Sequence, residues 1–208
     1  MPSGASTSWR DRASRIAALA AVFAGFGAYH LLNVRRDPLH VMALPLDWLI
    51  PLVPAFSIPY LLYLPYLFFT AAYGILATDQ WKRVTASFLV AQIAACVAYV
   101  AYQTHVPRPA VPDDALFGNL LRFIYSYDQP YNTFPSLHAA HSLISLYWWR
   151  RMNVRWFRAA AALTALILLS TVLLKQHVLL DVSAGAALAA AAIIAAEKMF
   201  PLRPTTRA

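Results

Sequence analysis

The sequence predicts an all-α integral membrane protein, with six transmembrane helices in a bundle and a proline-rich interfacial segment between the first two. Three observations lead there. The chain is 60% hydrophobic and 12% charged, with mean hydropathy +0.52. That is too apolar for an ordinary soluble domain and too regular for a disordered one. Six apolar runs approach the roughly 20 residues that a helix needs to cross hydrocarbon. The basic residues gather in short clusters between those runs, as membrane topology requires.

The runs cover residues 16–34, 55–78, 84–106, 136–150, 158–175 and 178–197. Arg10, Arg12 and Arg15 precede the first run, which resembles the start of a signal sequence. The run is long and lacks a small-residue cleavage site, so it reads as an uncleaved first span. From Leu39 to Pro54 the chain is apolar but interrupted by Pro45, Pro51 and Pro54. Proline removes a backbone donor and breaks helix, so this segment is expected to be interfacial or re-entrant. Asp47 within it sits either at headgroup level or turned into a cavity. The fourth run is short, and its helix is expected to reach Arg151 or slightly beyond. Only the sixth carries a charged residue well inside it, Asp181. The single cysteine, Cys96, lies in an apolar run, so no intrachain disulfide forms and the thiol reads as core filler. Small residues along Ala184–Ala196 permit close helix packing, within the chain or between chains.

Charge sets the topology. Cytoplasmic termini put 12 of the 17 Lys and Arg residues on the cytoplasmic side and five, Arg35, Arg36, Arg108, Arg122 and Lys175, on the other. The asymmetry gives one membrane domain, residues 1–208. It comprises a cytoplasmic N-terminus (1–15), a six-helix bundle (16–197) and a cytoplasmic tail (198–208). The membrane expected is the plasma (inner) membrane. The net charge of +8 is spread over these clusters, so no nucleic-acid partner is expected. The same count places His138 and His177 together on the non-cytoplasmic face.

Those two histidines carry the candidate chemistry, because titratable groups in a membrane protein usually mark function. His177 and Asp181 are four residues apart, hence one turn apart on one helix face. The carboxylate can hold one imidazole nitrogen and leave the other free to attack. The alternative is a helix-end histidine beside a capping carboxylate. In Pro135-Ser136-Leu137-His138, a proline and a capping serine open a helix whose first turn can hold an anion. His138, facing the same way as Ser142, could pass a proton to a leaving group there. The alternative is a capped helix with a polar first turn. His141 is offset around the helix from His138. Arg108, between Pro107 and Pro109, presents a guanidinium fork for phosphate oxygens or a headgroup-level anchor. Lys175 is a further cation or a boundary lysine. Asp128, Gln129, Tyr131 and Asn132 crowd the loop before Pro135, where they bind a polar headgroup or cap and turn. The set suits phosphoryl transfer through a phosphohistidine. No HExxH-like or cysteine-rich pattern appears, so neither a metal nor another cofactor is expected.

These residues resemble the type-2 phosphatidic acid phosphatase superfamily, whose signature is Lys-x6-Arg-Pro, Pro-Ser-x-His and Ser-Arg-x5-His-x3-Asp. The second part is complete at Pro135, Ser136 and His138. The third has Ser170, His177 and Asp181, with Thr171 in place of arginine. The first keeps Arg108-Pro109, with Ala101 in place of lysine. The resemblance covers roughly residues 100–185 and the six-span plan. The run Tyr131-Asn132-Thr133-Phe134-Pro135-Ser136-Leu137-His138, Lys175-Gln176-His177, and Asp47 in its proline-rich setting are similar to the inositol phosphorylceramide synthase branch. The resemblance implies His177 as nucleophile, Asp181 as its partner, His138 as general acid and no metal. It implies a membrane phospholipid or lipid phosphate as substrate. Arg108, Ser136 and Lys175 would hold the phosphoryl group, with Asn132, Tyr131 and Asp47 near the headgroup. A transporter or lipid-binding subunit would explain six spans but not two matched histidine motifs. Vanadium-type halide oxidation shares the superfamily's site but not the missing lysine or the membrane-spanning body.

Overall fold

The structure, a computed structural model, describes residues 8–111, 113 and 116–201. Residues 1–7 of the expected N-terminal segment and 202–208 of the expected tail, with Arg203 and Arg207, lie outside the described residues. The described chain is helical: α1 (Trp9–Leu32), α2 (Pro45–Leu49), a 3-10 turn at Pro54–Phe56, α3 (Ser57–Leu61), α4 (Tyr63–Ala77), α5 (Trp81–Ala101), α6 (Phe117–Tyr127), α7 (Leu137–Met152), α8 (Val154–Leu173) and α9 (Leu179–Met199). Its strand pairing, among the described residues, is confined to two isolated bridges, His40 with Thr104 and His105 with Tyr131.

Five stretches are long and apolar enough to cross a membrane: α1, Pro54–Ala77, α5, α8 and α9. The fourth expected span, α7, is not among them. It is 16 residues long and carries His138, His141, Ser142 and Ser145, all buried. Its polarity is tolerable because α4, α5, α8 and α9 surround it. Ala140, Ile144 and Trp148 of α7 are fully buried in the main core. Trp148 Nε1 donates to Ser87 Oγ of α5 at 2.9 Å, and Trp149 Nε1 donates to Thr70 Oγ1 of α4 at 2.7 Å. Such pairs satisfy polar groups that lipid could not.

Several boundaries differ from the apolar runs, for local reasons. α1 starts at Trp9 rather than near 16, because Ser8 Oγ accepts from Asp11 N and Asp11 pairs with Arg15 at 2.8 Å. α5 stops at Ala101. Beyond it, Thr104 Oγ1 accepts from the Thr133 and Phe134 amides and draws the chain across to the loop before α7. α6 was not anticipated. At 11 residues it is too short to register as a span, and it buries only Gly118, Leu121 and Ile124.

The stretch Pro54–Ala77 is not continuous. A proline at 65 cannot donate to Leu61 O, and its ring crowds that carbonyl. The helix breaks at Leu62, between α3 and α4. Tyr60 and Tyr63 flank the break, and both rings pack on His138, with centroids 4.8 and 4.3 Å away.

The two ends of the bundle differ. At one, Arg15 donates to Ile75 O and Thr78 O, Arg83 to Phe200 O, and Arg151 pairs with Glu197. At the other, the starts of α7 and α9 meet. There Ser136 N donates to Asp181 O at 3.0 Å, and Gly185 of α9 lies against the Ser136 carbonyl.

Candidate active site

The site is built on two helix N-termini. Ser136 caps α7, its Oγ accepting from Ala139 N at 3.2 Å. Its hydroxyl is thereby committed to the cap, and it is fully buried. His138 follows in the first turn of α7. Asp181 occupies the first turn of α9 and accepts from Val178 N at 3.1 Å. That bond is the side-chain half of a helix start, and it holds the carboxylate one turn from His177.

Asp181 Oδ2 also lies 3.4 Å from His177 Nδ1, and His177 Nε2 is 3.3 Å from His138 Nδ1. On the far side, His138 Nε2 is 3.9 Å from Asp128 Oδ2. The order is therefore carboxylate, imidazole, imidazole, carboxylate. All four side chains are buried, Asp181 completely. When Asp181 accepts from Nδ1–H of His177, Nε2 carries the lone pair. A lone pair aimed out of a desolvated ring is the requirement for a nucleophile. The tyrosine rings on His138 fix the plane of the second imidazole.

Beside the histidines lies a cavity of about 190 Å³. Its walls include Phe26, Tyr29, Tyr60, Tyr63, Tyr99 and Ile124, with His30, His138, His177, Asp128 and Asn132 among its polar groups. Leu61, Leu64, Phe123 and Tyr127, exposed residues of α3, α4 and α6, also border it. Asn132, at φ 57°, is fully buried, and its Oδ1 accepts from Gln103 Nε2 at 2.9 Å. Its Nδ2 has no partner among the described residues.

The expected cations stand beside this cavity rather than in its wall. Arg108 donates to Tyr125 O, Asp128 O and Gln176 Oε1 and stacks over the Tyr125 ring. It ties the end of α6 to the α8–α9 loop next to His177. Burial lowers its pKa from the ordinary arginine value, and Asp128 opposes that shift. Its Nε is buried without a partner among the described residues. Lys175 sits at φ 55°, and its Nζ donates to Asp47 O at 2.8 Å and Ile50 O at 2.5 Å. Burial lowers its pKa as well, with Asp47 opposing. Asp47 is buried, and its Oδ1 accepts from Leu179 N at 2.8 Å, so it caps α9 from outside. Asp47 and Lys175 border a small cleft of about 20 Å³, which His177 shares. Tyr131 is half-buried and pairs through its backbone with His105, away from the cavity wall. Ala101 ends α5 exposed, and Thr171 is buried with its hydroxyl on Leu168 O, so neither position supplies a charge.

Sequence reasoning named Asp128 only as one of several polar loop residues and gave no role to Tyr29, Asn33, Tyr60 or Tyr63. Asp128 lies ten residues before His138, across a loop, where no helical period links them. His141 is fully buried, with Tyr63 OH 2.8 Å from its Nδ1 and the Phe26 and Phe88 rings against it.

The pattern of the PAP2 superfamily matches residues 39–195, which contain both histidines, Asp128 and Asp181, while Phe26, Tyr29 and Asn33 of the α1 side lie before it. The chain belongs to the PAP2 superfamily. No curated protein and no solved structure matches it. Membership suggests phosphatase or phosphotransferase activity and fits a lipid phosphate as substrate. The match is at the level of the superfamily.

Proposed function

We propose that this PAP2 superfamily member is a membrane lipid phosphatase or headgroup phosphotransferase that works through a phosphohistidine at His177, without a metal. The observation that carries the reading is the 3.3 Å approach of His138 Nδ1 to His177 Nε2, with Asp181 on the other nitrogen of His177. In the first half-reaction, a bond forms from His177 Nε2 to phosphorus as the bond from phosphorus to the lipid oxygen breaks. His138 gives its proton to that oxygen. The ring-to-ring contact opens as the phosphoryl group enters. In the second half, water or a lipid hydroxyl gives a proton to His138 while its oxygen bonds phosphorus and the P–N bond breaks. Asp181 stabilises the charge on His177 throughout. Arg108 and the unpaired Nδ2 of Asn132 are the groups best placed to steady phosphoryl oxygens. Ser136, Lys175 and Asp47 frame the site, and Tyr131 lies at its edge.

An alcohol is the favoured acceptor. The cavity at the histidines is lined mainly by aromatic and aliphatic side chains, which suits a lipid better than bulk water. That supports a transferase of the inositol phosphorylceramide synthase kind over a simple phosphatase. The positive-inside asymmetry supports α7 as a sixth, buried span, cytoplasmic termini and a site at the outer leaflet of the inner membrane.

The test uses purified protein with phospholipid labelled in the phosphate, with and without ceramide or diacylglycerol. Free phosphate identifies a phosphatase. A new labelled lipid identifies a transferase. An acid-labile, alkali-stable label on the protein, absent in His177→Ala, identifies the intermediate. Full activity in His177→Ala overturns the role of His177. Transport of lipid into liposomes without covalent change would instead make the protein a carrier.

A further inference from the structure

Asp128 is more elaborately held than a loop carboxylate needs to be. Its Oδ1 accepts from Tyr29 OH at 2.7 Å and Asn33 Nδ2 at 2.9 Å. Its Oδ2 accepts from Tyr60 OH at 2.6 Å and faces His138 Nε2 at 3.9 Å. Three donors from α1, the residue after it and α3 converge on one carboxylate that is 7% exposed. Three donated hydrogen bonds fix the orientation of the carboxylate. They also leave Oδ2 aimed at the imidazole.

Proton accounting gives that placement a consequence. With Asp181 accepting from Nδ1–H of His177, His177 Nε2 can only accept. His138 Nδ1 must therefore donate in the 3.3 Å contact. The remaining nitrogen of His138, Nε2, faces a carboxylate, which repels a lone pair and attracts an N–H. The arrangement is satisfied when His138 carries both protons, the state a general acid needs before the leaving group departs. A buried imidazolium is costly unless a counter-charge is fixed beside it, and Asp128 is that counter-charge.

On the phosphotransferase reading above, we infer that Asp128 is a positioning residue for His138. Its charge, 3.9 Å from Nε2, favours a proton on that nitrogen, so that Nδ1 is the one that exchanges the proton at phosphorus. The site then contains two carboxylate–imidazole pairs facing each other, Asp181 with the nucleophile and Asp128 with the acid and base. Tyr60 links them to the cavity, since it both donates to Asp128 and packs on His138.

The test separates this role from a purely structural one through the leaving group. An octyl ester needs its oxygen protonated on departure, whereas p-nitrophenolate leaves without a proton. Octyl phosphate and p-nitrophenyl phosphate are compared. Where the labelled-lipid assay shows a headgroup transferred, the matching octyl and p-nitrophenyl diesters of that phospho-headgroup replace them. Asp128→Asn is expected to lose about 10- to 100-fold in kcat on the octyl ester, part of what a general acid supplies, with KM little changed. The initial burst of p-nitrophenolate keeps its wild-type rate. The ratio of the two rates within one preparation is unaffected by the fraction of protein folded. Asp128→Glu restores part of the ratio. Tyr60→Phe, which removes a donor but not the charge, moves it less than Asp128→Asn does. Equal losses on both esters, or none on either, overturn the role and leave Asp128 as an anchor between α1 and α3. If Asp128→Asn yields no folded protein, Asp128→Ser, which also removes the charge, takes its place, and an unchanged ratio there overturns the role. A wild type that turns over neither ester nor labelled lipid overturns the phosphotransferase reading itself. A labelled His177 with an unmoved ratio overturns this inference alone.

Discussion

Gly185 of α9 presses on the carbonyl of Ser136: a Cβ at that position would stand 2.4 Å from Ser136 O and 2.9 Å from the Ala139 Cβ. Backbone cannot yield as a side chain can, so a methyl group there must push α9 away from the start of α7. These are the two helices whose first turns bring His177 and His138 together. Gly185→Ala is expected to destabilise the protein by about 1–3 kcal/mol and to reduce phosphoryl transfer more than the fall in stability explains. Gly27→Ala, where nothing among the described residues beyond its own helix turn lies within 4 Å of the added methyl, is the control. It is expected to be neutral or stabilising by up to about 1 kcal/mol, from helix propensity alone. Thermal unfolding in detergent, read beside the lipid assay, checks both.

Asp47 acts through the helix that carries Asp181. Its Oδ1 on Leu179 N supplies an acceptor that Val178, the residue at the cap position, has no side chain to supply. Asp47→Ala should cost about 0.5–2 kcal/mol, as for other lost caps. Asp47→Asn, which keeps an oxygen acceptor, should cost less. Thermal unfolding of the two variants checks the order. Equal costs for the two variants would show that the charge, and not the cap, matters.

Arg108 is a bracket as well as a cation. Its guanidinium reaches three oxygens on the end of α6 and the α8–α9 loop, and lies 4.3 Å from the centre of the Tyr125 ring. A lysine keeps the charge but cannot span this fork or stack in the same way. Arg108→Lys is expected to lose about 1.5–3 kcal/mol, the scale of a charged hydrogen bond. Activity should fall with it, because Gln176 adjoins His177. Equal stability of Arg108→Lys and wild type would reduce Arg108 to a charge.

Much of the helical plan was legible because lipid-facing helices are written as long apolar runs. The five long stretches follow those runs closely. α6 was not legible, since eleven residues with a half-polar face carry no span signal. The break at Leu62 was readable in principle from a proline at 65, but its result, two tyrosines around His138, depends on packing. At the site, the two histidine stretches were visible because each motif is local to one helix start. The approach of their rings to 3.3 Å needed the tertiary fold. Lys175 shows the limit from the other side. Its spacing suggests a cation at the phosphate, but a left-handed backbone at that residue turns the side chain to the carbonyls of Asp47 and Ile50. The role of Asp128 was hidden because its partners, Tyr29 and Asn33 at the end of α1, Tyr60 of α3 and His138 of α7, come from three separate parts of the chain.

Tyr63 and His141 test whether the second histidine of α7 belongs to the chemistry or to the core. Tyr63 OH meets His141 Nδ1 at 2.8 Å, and both residues are buried. Nε2 of His141 has no partner among the described residues and faces neither His177 nor the cavity wall. A histidine in this setting packs between Phe26 and Phe88 and satisfies a tyrosine. Tyr63→Phe alone leaves a buried ring nitrogen unpaired and is expected to cost about 1–3 kcal/mol. His141→Phe alone leaves the hydroxyl unpaired at a similar cost. The double substitution removes both polar groups and is expected to recover most of the stability, since losing a buried pair together can be nearly neutral. Phosphoryl transfer in His141→Phe should stay within a few-fold of wild type once corrected for folded protein. The double-mutant cycle in thermal stability measures the coupling. A fully additive cycle, or a loss of turnover in His141→Phe comparable to that of His138→Ala, would move His141 from the core into the site.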